Sequence, residues 1–131
     1  MIRRQLINFQ NRSVDVRVGL GAFDELSRMF ASAVGKPKRA MVVWNSASSE
    51  RFDEVVEHAL VDAGFAVSQF SLEVSPAGAT LADADAIFGA LSANGITCDD
   101  LVVAVGDAAT CSVVSWCANQ WCGRTECALL P

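Results

Sequence analysis

Between Asp100 and Ser112 the chain reads Asp-Leu-Val-Val-Ala-Val-Gly-Asp-Ala-Ala-Thr-Cys-Ser. The apolar run Leu101 to Val105 is short and ends at a glycine, which predicts a strand buried on both faces. Gly106 then turns the chain into a helical pattern. A strand, a glycine turn and a helix in that order put the turn at the carboxyl edge of a central strand. Open α/β sheets receive nucleotide phosphates there, on the N-terminus of the helix. This turn holds Gly106 alone, where phosphate-cradling loops carry several glycines.

The same rhythm runs through the rest of the sequence. Arg3 to Phe9 and Val14 to Val18 alternate apolar and polar residues, as edge-type strands joined by a loop do. From Ala22 to Val34, Phe23, Leu26, Phe30 and Ala33 keep a helical period, and Gly35-Lys-Pro37 ends the helix. Arg39 to Trp44 reads as a buried strand leading into the turn Asn45-Ser-Ala-Ser-Ser49. A helix from Phe52 to Ala63 is capped by Gly64, and Phe65 to Val74 alternates as a strand. Leu81 to Leu91 is a third helix closed by Asn94-Gly95, Thr110 to Trp121 a fourth, and Glu126 to Leu130 a last strand. Strands alternating with helices through short loops mean βαβ units with right-handed crossovers. The expected fold class is α/β, a Rossmann-like three-layer domain with a mostly parallel sheet, formed by residues 1–131 as one domain.

Composition narrows the function. The chain is 52% hydrophobic with a mean hydropathy of +0.32, which suits doubly buried strands or a surface meant for a partner. No apolar run approaches the roughly 18 residues of a membrane span, and Met1-Ile-Arg-Arg-Gln-Leu-Ile-Asn8 lacks the apolar stretch of a signal peptide. The expected location is the cytoplasm, with no membrane partner. A net charge of −5 and scattered basic residues, with Lys36-Pro-Lys-Arg39 the one cluster, exclude a nucleic-acid surface.

The five cysteines, Cys98, Cys111, Cys117, Cys122 and Cys127, are odd in number and fall in the last third of the chain. They read as small buried core residues; neighbours five apart share no helix face, so zinc spacing is absent. Cys111 is read as a buried residue of the turn. His58 falls on the polar side of its helix and reads as solvated. Ser48, Ser49 and Ser112 lack a His–Asp partnership, and Asp83, Asp85, Asp99 and Asp100 read as solvated acids. Trp44 and Trp116 are expected at the carboxyl edge, filling space that a nucleotide would take.

Some segments carry a more specific signal: Val16-Arg-Val-Gly-Leu-Gly21, Ala63-Gly-Phe-Ala-Val67, Ala90-Leu-Ser-Ala-Asn-Gly-Ile96, Asp99-Asp-Leu-Val-Val-Ala-Val-Gly106 and the closing Leu130-Pro131. In order and spacing they resemble the N-terminal domain of the 3-dehydroquinate synthase family. Glycerol dehydrogenases and iron-type alcohol dehydrogenases share this plan. The resemblance implies a dehydroquinate synthase-like fold with NAD in a crevice between this domain and a helical C-terminal domain. Glu and His residues of that second domain hold zinc or cobalt. The family's reaction is a lyase step of the shikimate pathway that eliminates phosphate and closes a ring. The resemblance also implies that the chain is truncated, with the metal-binding half absent and a sheet edge left open for a homodimer.

Carried over position by position, the resemblance assigns Asn45, Gly106, Asp107 and Ser112 to the cofactor and Arg124 to a substrate phosphate. Each matching motif is altered. The family's Thr-Asp-x-Asn is Trp44-Asn-Ser-Ala47, and its Gly-Glu-x-x-Lys is Ser75-Pro-Ala-Gly-Ala79. Its triple-glycine loop with a later Asp is Gly106-Asp107-Ala108 with Ser112, and its Arg-Gly is Gly123-Arg124. Asp107 brings a carboxylate to where pyrophosphate would lie, which repels it unless the side chain turns away. Three readings follow: a dehydroquinate synthase-like domain that is inactive alone, a relative kept as an interaction or regulatory module that no longer binds NAD, and an unrelated α/β binding protein.

Overall fold

The computed structural model describes residues 2–10, 12–46 and 53–131. Four strands, β3 (Arg39–Asn45), β4 (Ala66–Leu72), β5 (Leu101–Val105) and β6 (Glu126–Leu130), form a parallel sheet in the order β4-β3-β5-β6. β1 (Arg3–Asn8) and β2 (Ser13–Val18) pair antiparallel in a two-stranded sheet of their own. The alternation in these two segments was legible as strand, but the ribbon stands apart from the parallel sheet.

Side chains leave β3 and β5 on alternating faces, and both faces are covered. On one side Ala40, Val42, Leu101 and Val103 pack with α1 (Leu26–Ala33) and α2 (Asp53–Asp62) through Leu26, Phe30, Val56 and Leu60. On the other, Met41, Val43, Val102 and Ala104 pack with α3 (Leu81–Ala93) and α4 (Ala108–Ala118) through Ile87, Leu91 and Val114. This double burial explains why the central strands read as unbroken apolar runs.

Local signals set the helix ends. Thr80 and Asp83 form a capping box at the start of α3, with Thr80 N donating to Asp83 Oδ2 at 2.8 Å and Asp83 N to Thr80 Oγ1 at 3.3 Å. A short 3-10 turn, Ala22–Glu25, precedes α1. α4 starts two residues earlier than the periodicity predicts because Asp107 caps it. It ends at Ala118, with a separate turn at Trp121–Gly123. The expected apolar position Phe52 lies outside the described residues.

Asp100 corrects the sequence reading. It is 1% exposed rather than solvated. Oδ1 accepts from Arg39 N at 3.1 Å, and Oδ2 accepts from Thr97 N at 2.8 Å and Thr97 Oγ1 at 3.1 Å. The carboxylate thereby ties together the starts of β3 and β5. The signal that went unused is the Thr-x-x-Asp spacing just before a buried strand.

The chain runs from β3 outward to β4, then returns across β3 to β5 and β6. The direction therefore reverses between β3 and β5. Their carboxyl ends, Asn45 and the Gly106 turn, flank the topological switch point where ligands of open α/β sheets bind.

Candidate functional site

At the end of β5, Gly106 adopts φ +148°, a conformation that side chains disfavour. A Cβ there would lie 3.3 Å from Thr110 Cβ, so the turn is packed tightly over Thr110. Asp107 follows as the N-cap of α4. Its Oδ1 accepts from Thr110 N at 2.9 Å and from Thr110 Oγ1 at 2.8 Å. The backbone N–H and then the hydroxyl of Thr110 hold this carboxyl below the usual carboxylate range.

From the neighbouring strand Asn45 turns inward and is only 5% exposed. Its Nδ2 donates to Val74 O at 3.0 Å and to Thr110 Oγ1 at 3.4 Å. Thr110 is fully buried and passes its own hydroxyl proton toward Asp107. The result is a continuous chain of hydrogen bonds from the backbone after β4, through β3, to the first turn of α4. Sequence reasoning missed Thr110, although Asp107 ahead of a helical pattern is an N-cap candidate whose side chain reaches the residue three positions on.

The consequence is electrostatic. The N-terminus of a helix attracts anions because its first N–H groups lack partners. Here the protein's own carboxylate takes up that role. Asp107 has turned onto the helix rather than away from the edge, and a second anion at this turn would meet its charge.

The remaining assigned residues do not converge on this spot. Ser112 lies on the exposed side of α4 between buried Cys111 and Val113. Arg124 precedes β6, whose first residue Glu126 pairs in register with Leu101, and its Nη2 lies 3.6 Å from Glu126 Oε1. That is the amino edge of the sheet, about 16 Å of strand from the Gly106 turn. The structure brings together Asn45, Gly106 and Asp107 and leaves Arg124 at the opposite edge. Ala47 and Ser48 of the β3 turn lie outside the described residues.

Trp44 is half-buried near the end of β3, at the expected edge. Trp116 is not. It packs against Phe88 at 6.1 Å between ring centroids, and Phe88 stacks on Trp121, whose Nε1 donates to Ile96 O ahead of β5. About two and a half helical turns beyond Asp107, the Trp116 side chain belongs to the outer side of α3 and α4.

All five cysteines are free thiols, and the expectation that they are buried needs correcting. Cys111 and Cys117 are buried and Cys127 half-buried, whereas Cys98 and Cys122 are exposed. Burial pushes the Cys117 thiol up to about 11 and the Cys127 thiol up to about 12. Burial, then the Asp107 charge, raises Cys111 as well, opposing activation by the helix. In the native protein an aromatic disulfide reagent at pH 8 is expected to modify Cys98 and Cys122 within minutes. Cys111, Cys117 and Cys127 should react only after unfolding. Rapid native modification of Cys111 would contradict the packing of the turn.

His58 is exposed on α2, as expected. Among the described residues no three or more His, Cys, Asp or Glu side chains stand together as a metal set would require. Nor is any helix among them long and apolar enough to cross a membrane.

No family model and no curated protein matches the sequence. Solved structures do match the fold. A crystal structure of 2-deoxy-scyllo-inosose synthase complexed with carbaglucose-6-phosphate, NAD+ and Co2+ superposes with a TM-score of 0.79 at 16% identity. The match covers 98% of this chain and 34% of that one. A second crystal structure of 2-deoxy-scyllo-inosose synthase gives the same TM-score and identity, with 36% of its chain covered. The fold is dehydroquinate synthase-like. The chain spans about a third of the length of these solved counterparts.

Proposed function

We propose that this chain is a dehydroquinate synthase-like domain without catalytic competence of its own, kept as an interaction module whose cofactor edge is closed. One observation carries this reading: the Val74–Asn45–Thr110–Asp107 network ties the ends of β3 and β5 together with internal hydrogen bonds beside the switch point. NAD, which the fold implies, does not fit these residues. Asn45 is buried against Val74 O, the Ser75–Ala79 turn has no charged side chain, and Asp107 occupies the anion-binding end of α4. Zinc or cobalt has no clustered ligands among the described residues.

The fold match favours a second reading. In it the chain is the sheet domain of a sugar-phosphate cyclase related to dehydroquinate synthase, and a helical domain supplies the metal and half of the NAD crevice. Thermal unfolding with and without about 1 mM NAD+ tests whether these residues alone hold the cofactor. A site of about 10 μM affinity would add about 2.7 kcal/mol at that excess, a rise of many degrees for a chain of this size. The proposed module shows no rise. A rise of about 8 °C would restore the cyclase reading.

A further inference from the structure

We infer that Cys98 and Cys122 form a thiol–disulfide pair, a reversible modification site whose substrate is a low-molecular-weight disulfide. The pair lies at the amino edge of the sheet, opposite the switch point. It uses none of the Asn45–Thr110–Asp107 network, so this inference and the cofactor reading can fail separately.

Strand register brings the two thiols together. β5 and β6 run parallel with Leu101 opposite Glu126, so the loops entering them lie side by side. Side chains then tie these loops to one another. Trp121 Nε1 donates to Ile96 O at 2.6 Å. The hydroxyl of Thr125, a residue only 1% exposed, donates to Trp121 O at 3.1 Å and stands 3.3 Å from Thr97 O. Those two oxygens belong to the peptide bonds that enter Cys122 and Cys98. One buried hydroxyl therefore bridges the two backbone units that carry the exposed thiols.

A peptide oxygen lies about 2.8 Å from the next α-carbon, so the α-carbons of Cys98 and Cys122 are at most about 12 Å apart. A disulfide spans about 4.4–6.8 Å between α-carbons, and closure asks for about 5 Å of movement at the most. The Cys98 loop is held still, with Thr97 N and Thr97 Oγ1 both donating to Asp100 Oδ2. The Cys122 turn supplies the movement. Cys122 is the only non-glycine among the described residues with a positive φ, at φ +50° and ψ +41°, and Gly123 follows at φ +88°. A left-handed backbone costs energy in a residue with a side chain, so leaving it is favourable. Cys111 and Cys117 are buried and Cys127 half-buried, so the two loop thiols meet a reagent first and then each other.

Two exchanges complete the reaction. One cysteine thiolate attacks a sulfur of the small disulfide, forming a mixed disulfide and expelling one small thiol. The second cysteine attacks the protein sulfur of that bond, forming the Cys98 Sγ–Cys122 Sγ bond and expelling the other small thiol. The two thiol protons and two electrons leave with the small disulfide, now reduced to two thiols. The crosslink encloses β5 and α4 and staples the start of β6 to the start of β5.

The folded chain incubated with oxidised glutathione at pH 8 and read by mass tests this. Wild type should lose two hydrogens, keep no glutathione, and take N-ethylmaleimide only at Cys111, Cys117 and Cys127 once unfolded. Cleavage ahead of Asp99 and Asp107 should release the Cys98 peptide still joined to the one holding Cys122. Cys98→Ser and Cys122→Ser should each keep a single glutathione, because no second thiol displaces it. The oxidised wild type should unfold about 5 °C higher and fall back on reduction. Two glutathiones kept by wild type would overturn the inference, as would a crosslink to another cysteine or between two chains. An oxidised chain with an unchanged midpoint would overturn the staple.

Discussion

Asp100→Ala should destabilise the fold by about 3 kcal/mol, lowering the midpoint of thermal unfolding by about 10 °C. The carboxylate is 1% exposed and satisfies two backbone N–H groups and one hydroxyl from separate segments. Alanine removes the acceptor that all three donors share, and a hydrogen bond to a charged group contributes about 1.5–3 kcal/mol. The neighbouring Asp99 is exposed, and Asp99→Ala should move stability by no more than about 0.5 kcal/mol. Denaturant unfolding of both variants checks the contrast. Equal effects would mean that Asp100 does not hold β3 to β5.

The second large effect concerns Asn45, where the resemblance to the dehydroquinate synthase family would place a cofactor-contacting aspartate. Asn45→Asp should not restore a nucleotide site. It should instead cost about 3 kcal/mol at pH 7, because a buried carboxylate replaces an amide that donates to Val74 O. The new charge would also share Thr110 with Asp107, a carboxylate already ionised at that pH. The sign with pH follows from burial, which raises the folded pKa of the new acid above its unfolded value of about 3.9. Below that value both states are protonated, and the variant should approach wild type, its acid O–H donating where the amide did. As pH rises the unfolded state ionises first, so the deficit grows until pH passes the raised folded pKa and then levels off. Unfolding at pH 4 and pH 7 measures it; a pH-independent deficit would mean that the position is open to water.

Much of the fold was legible because the signals were local and redundant. Five consecutive buried residues in β5, the glycine turn and the 3.6-residue periods each pointed to the same βαβ plan, and the carboxyl edge followed from it. What escaped is decided by side-chain direction. Asp100 and Asp99 are adjacent acids, yet only the geometry of Thr97 and Arg39 makes the first a buried tie. Asp107 looked like a charge aimed at a ligand, and its inward turn depends on Thr110 standing one helical turn later. Arg124 was linked to the site by motif alone, and a motif match does not say which edge of the sheet the residue occupies. Cys98 and Cys122 were read with the other thiols as core, though they fall on the loops before β5 and β6, where nothing covers them.

The most direct test is a titration of the 15N-labelled chain with NAD+, followed at the backbone amides of Gly106 and Thr110. These groups border the switch point, and Thr110 N–H is the donor held by Asp107 at 2.9 Å. With the edge closed by its own carboxylate, neither amide should move in a saturable way up to about 1 mM NAD+, equivalent to binding weaker than about 4 kcal/mol. Saturating shifts at both amides below that concentration would contradict the account, showing that a dinucleotide displaces the Asp107 cap.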